Sequence, residues 1–74
     1  MNEFKRKITI DEKADSAYIY LKEIEKGGIA NSIPISSDII FDFDSQGVLV
    51  GVEFLSLVLL NLDLLAENFE IVYL

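Results

Sequence analysis

The acidic run Asp42-x-Asp44-x-Gln46-Gly47-x5-Glu53 comes nearest to a chemical signature in this chain. Its spacing approaches that of a twelve-residue calcium loop, with oxygen ligands at positions one, three and twelve and a glycine at six for the sharp turn. Asp42, Asp44 and Glu53 are therefore the candidate metal ligands. Two features oppose a wrapped ion. Gln46 stands where such loops carry Asp or Asn, and both flanks alternate at period two, as strands do, rather than at the helical period such a loop requires. On a hairpin the three carboxylates point outward along the strands, which reads equally as a solvated acidic surface around a glycine turn.

Other constellations are weaker. Asp11 and Asp15 could divide acid and base roles if their surroundings separated their pKa values, or could accept backbone N–H bonds in a turn. Tyr18, Tyr20 and Lys22 share one face of a strand, and with Lys5-Arg6-Lys7 they could stack nucleic-acid bases, but such surfaces need a cationic groove. Ser16, Ser32, Ser36, Ser37, Ser45 and Ser56 have no histidine to activate them, because the chain has none. Gly27-Gly28 is not followed by the Lys-Ser/Thr of a phosphate loop. Gly51 lies inside a strand pattern and marks a bulge or close packing. No catalytic residue and no cofactor is expected.

The elements that must position these residues can be read from periodicity. Phe4 to Ile10 and Ser16 to Lys22 alternate apolar and polar residues around the turn Asp11–Asp15, forming a hairpin. Ile29 to Ile35 is a weaker strand, and Pro34, which cannot donate to a ladder, places it at an edge. Asp38 to Asp44 and Val48 to Phe54 alternate cleanly around Asp44-Ser45-Gln46-Gly47. From Leu55 the pattern changes: Ser56, Asp63 and Glu67 fall on one stripe of an otherwise leucine-rich stretch, predicting a helix over 55–67. Glu70 to Leu74 is a short strand or a tail on the helix. The expected fold is α+β, an antiparallel β-meander of four to five strands with one C-terminal leucine-rich helix packed on one face. It forms a single domain over 1–74, with the sheet over 7–55, the helix over 55–67 and a tail or strand over 68–74.

Composition limits the function. A chain of 74 residues with a net charge of −7 and no cysteine has neither disulfides nor thiolate metal sites. A domain this small is marginally stable, and oligomerisation is the remedy left to it. All six basic residues lie in residues 1–26, while the seven acids from Asp38 to Glu70 have none among them. Such a charge repels nucleic acid and attracts a basic partner. The longest apolar stretch, Phe54 to Ala66, is broken by Ser56, Asn61 and Asp63 and falls short of a membrane span. No apolar signal core follows the basic N-terminus, so a cytoplasmic location is expected.

Two segments resemble a known family. Asp11-Glu12-Lys13-Ala14-Asp15-Ser16-Ala17-Tyr18-Ile19-Tyr20-Leu21 is similar to its first motif, an acidic turn leading into an alternating strand. Ile39 to Leu55, with Asp42-Phe43-Asp44-Ser45-Gln46-Gly47 at its centre, is similar to its second. The family is the domain of unknown function 2283 family of small prokaryotic proteins, and the likeness runs from Lys7 to Leu55. It implies a prokaryotic origin and a compact sheet capped by a C-terminal helix, and it carries no activity or catalytic residues. Beyond Leu55 the leucine-rich segment departs from the family, which favours an oligomer. The expected function is a small acidic, non-catalytic protein-interaction module, acting as a homo-oligomer (a homodimer in its simplest form) or with a basic protein partner. The alternative is a divalent-metal-binding protein or metal-dependent hydrolase using the acidic hairpin.

Overall fold

The computed structural model describes residues 4–74; residues 1–3 of the expected domain lie outside them. Six strands form one sheet: β1 (Lys7–Asp11), β2 (Ser16–Tyr20), β3 (Asn31–Pro34), β4 (Ile39–Phe43), β5 (Leu49–Phe54) and β6 (Glu70–Tyr73). Their order across the sheet is β3-β4-β5-β2-β1-β6. The two expected hairpins, β1–β2 and β4–β5, are present and antiparallel. β3 lies at the edge on which Pro34 places it.

The expected α+β meander with a packed helix is not what the chain forms. β2 pairs with β5, so the first hairpin is joined to the β3–β4–β5 meander by a contact between residues 17–20 and 51–54. β6 pairs with β1 in parallel, which makes the sheet mixed. A parallel pairing requires the chain to return across the sheet, a crossover of a dozen or more residues. The leucine-rich segment is that crossover: it leaves β5, passes over β2 and β1, and enters β6.

The crossover is not one helix over 55–67. It consists of a single 3-10 turn, Leu57–Leu59, and a four-residue helix, α1 (Leu62–Leu65). Leu60 between them is extended, with φ −104° and ψ 136°. Asn61 then starts a fresh turn, its side-chain oxygen accepting from the Leu64 N–H at 3.2 Å. This is N-cap chemistry, and it restarts the helix where a continuous one would need uninterrupted backbone bonding. Breaking the path also lets Leu57, Leu60, Leu62, Leu65 and Phe69 all reach the sheet. The side chain of Asp15 anchors the start of the path by accepting from the Leu57 N–H at 3.1 Å.

The core lies between this crossover and one face of the sheet. Alternation along the strands turns Ile8, Ile10, Ala17, Ile19 and Val52 into it. Ile8 and Ile10, on the strand the crossover passes over, are the two large side chains wholly removed from solvent. Full burial of each stabilises the fold by about 1.5–3 kcal/mol. The shortest dimension of the molecule is 19 Å, which accommodates a sheet and one covering layer at a spacing of about 10 Å. The other face of the sheet is left open.

Candidate functional site

The open face carries the residues of greatest chemical interest. Its side chains come from the alternate positions of each strand: Lys7, Thr9, Tyr18, Tyr20, Ser32, Asp42 and Glu53. Asp42 is the anomaly among them, at 6% exposure the one buried charged side chain among the described residues. Burying a carboxylate is costly unless it is hydrogen-bonded. Here the Tyr18 hydroxyl donates to Asp42 Oδ2 at 2.5 Å, and the Ser32 hydroxyl donates to Oδ1 at 2.6 Å. Both oxygens are thus satisfied by hydroxyls from strands on either side.

Ser32 lies opposite Asp42 on the neighbouring strand. Tyr18 is two strands away, a distance of about 10 Å at normal strand spacing, and must cross β5 to reach it. It crosses at Gly51, which pairs with Asp42. A Cβ there would collide with the hydroxyl end of the Tyr18 ring, so only glycine lets the ring lie flat across the strand. A bulge in β5, with Leu49 rather than Val50 opposite Phe43, sits beside this crossing. Tyr18 also packs edge-on against Tyr20 with ring centroids 4.7 Å apart, and the Lys7 ammonium lies 4.9 Å from the Tyr20 ring centre.

Burial, then donation to Asp42, raises the Tyr18 phenol above its ordinary pKa. Tyr18 therefore holds its proton throughout the neutral range. The network ties four strands together, and neither of its hydroxyls is free to act as a base.

The three metal candidates have different surroundings. Asp42 is engaged by Tyr18 and Ser32. Asp44 lies in the β4–β5 turn, where its Oδ1 accepts from the N–H groups of Gln46 and Val48, each at 2.9 Å. Those bonds, Val48's first, hold its carboxyl below the usual range. Its other oxygen is 3.9 Å from Lys22 Nζ, a surface pair of little energetic weight. Glu53 sits on β5 opposite Ile40 and Tyr18. Among the described residues no three acidic side chains converge as metal ligands.

Asp11 and Asp15 likewise serve the backbone. Asp11 Oδ1 accepts from the Ala14 N–H at 3.1 Å, closing the β1–β2 turn, and Asp15 takes a left-handed φ of 53° that Asp tolerates. Tyr18, Asp42 and Gly51 stood out in the sequence for other reasons. Ser32 was named only as one of six hydroxyls without a histidine, and the signal for its place here was the period-two pattern that puts it on the same face as Asp42. No helix among the described residues is long and apolar enough to cross a membrane.

The model of the family described as Protein of unknown function (DUF2283) matches residues 7–57. The match runs from the start of β1 through β5, includes the whole hydroxyl–carboxylate network, and ends as the crossover begins. Comparison with curated proteins and with solved structures returns no match.

Proposed function

The chain belongs to the DUF2283 family, and from that premise we propose that it is a non-catalytic protein-interaction module that works by associating with a second copy of itself. The observation that carries this reading is the apolar surface left exposed both on the crossover and at the end of β6, where Tyr73 is 58% and Leu74 79% exposed. Leu57, Leu60, Leu62 and Leu65 turn inward, but Val58 is 86% exposed, Leu64 61%, and Leu55 and Leu59 are exposed beside them. Apolar side chains gathered in one short segment of a small protein are a common mark of an interaction surface.

Two further facts support it. The chain has no histidine and no cysteine, and the buried Asp42 is taken up by the Tyr18 and Ser32 hydroxyls, which brace the sheet. The core is also small, with six buried apolar side chains among the described residues, so covering more apolar surface would stabilise the fold directly. A basic protein is the other partner that the net charge of −7 would attract.

Co-expression of a tagged and an untagged copy tests the reading. Recovery of the untagged chain with the tagged one in comparable amount is expected. Recovery of the tagged chain with a basic protein in place of the untagged copy would overturn self-association.

A further inference from the structure

The two edges of the sheet are not alike, and the difference points to where a second copy joins. Just past the end of β3 the Ile35 N–H donates to the Ile39 carbonyl at 2.8 Å, and in the Ile33–Phe41 register this alternation makes Ile33 the residue that bonds to β4. The even-numbered positions, Ser32 and Pro34, face outward. Pro34 has no N–H to offer there, and a proline at an outward position is a standard way of blunting an edge. The β3 edge is closed to extended pairing.

β6 carries no such protection. The Glu70 N–H donates to the Arg6 carbonyl at 3.0 Å and the Leu74 N–H to the Ile10 carbonyl at 2.8 Å. The even-numbered positions therefore bond to β1, and alternation turns the N–H and C=O groups of Ile71 and Tyr73 toward the free edge. No proline, lysine or bulge interrupts Glu70–Tyr73. Among the described residues nothing pairs with this edge.

We infer that β6 pairs antiparallel with β6 of a second copy across a two-fold axis through Val72, making one continuous sheet of the two molecules. This rests on the self-association proposed above and names its geometry. The outward groups pair only with outward groups, and the register that engages both of them within β6 sets Ile71 against Tyr73 of the other copy and Tyr73 against its Ile71, each pair exchanging both of its N–H···O bonds. Val72 then faces its own symmetry mate on the open face. The side chains suit this arrangement. Ile71 and Tyr73 form a β-branched–aromatic cross-strand pair on the core face. Glu70 faces Leu74, so no acid meets an acid, and Glu70 is already beside Lys7 on β1.

A second copy fits better than an open-ended chain of copies. With the β3 edge blunted, β6 has only another β6 to pair with, and like-to-like pairing closes after two molecules. The basic residues Lys5, Arg6 and Lys7 also lead into β1 beside this edge, which offsets part of the repulsion between two chains of net charge −7.

The absence of cysteine in the chain makes the test direct. Residues facing each other in a pair without mutual hydrogen bonds have Cα atoms about 4.5 Å apart, within the range a disulfide spans. Val72→Cys is expected to form a cross-linked dimer under mild oxidation, while Val58→Cys, exposed on the crossover, is not. Val72→Lys, which sets two like charges face to face at the axis on the open face, is expected to leave a folded chain with the mass of one copy. A wild-type mass of two copies with Val72→Cys uncrosslinked would overturn the β6 pairing and leave self-association standing. A wild-type mass of one copy would overturn both.

Discussion

Replacing Asp42 with alanine would leave the Tyr18 and Ser32 hydroxyls without their shared acceptor. Losing a buried, charge-assisted partner costs about 1–3 kcal/mol, which a urea unfolding curve would register as a lower midpoint. Gly51→Ala should act through the same contact, because its Cβ displaces the Tyr18 ring; overpacking of this kind costs about 1–3 kcal/mol. Tyr18 also makes a prediction in pH. Its proton is held more tightly in the folded chain than in the unfolded one. Its stabilising contribution is therefore complete below its unfolded pKa of about 10 and is lost as the pH rises from there toward the higher folded value. Measured between pH 8 and about 11, stability should fall more steeply in the wild type than in Tyr18→Phe; parallel curves would show that the phenol is not engaged. Asp44 has the opposite sign: its folded pKa is lowered, so its contribution is present near neutrality and is lost as the pH falls through the acid range. Because Asp42 and Asp44 are already committed to hydroxyl and backbone donors, millimolar calcium should leave the melting temperature unchanged, and a clear rise would restore the metal reading.

At the scale of elements, Ile8→Ala should cost about 2–5 kcal/mol, a large share of the stability of so small a domain. Leu65→Ala should destabilise because Leu65 packs on the core, whereas Val58→Ser should fall within about 0.5 kcal/mol when the separated chain is compared. Thermal melts of the two variants separate the inner from the outer side of the crossover. The strands were readable in the sequence because alternation is local: Ile8 and Ile10, Ala17 and Ile19, and Phe41 and Phe43 announce their faces without reference to the rest of the chain. The leucine run was not readable in the same way. Its composition favours a helix, and the cap-forming Asn61 that divides it looked like one more polar position. The order of strands could not be read either, because it depends on β2 meeting β5, a contact between segments more than thirty residues apart. The same contact explains the site. Tyr18 and Asp42 each drew attention, but their junction over Gly51 exists only once β2 and β5 are neighbours.

For the whole molecule, charge and surface make opposing demands. A net charge of −7 in a chain of 8.3 kDa disfavours self-association through repulsion, while the exposed leucines and the open β6 edge favour it. Added salt screens the repulsion, so association should tighten between low and physiological ionic strength; docking of a basic partner would weaken over the same range. Sedimentation equilibrium of the purified chain at micromolar concentration and physiological salt measures the outcome most directly. The account predicts a mass of two chains, twice 8.3 kDa, while a mass of one chain across the concentration range would contradict it.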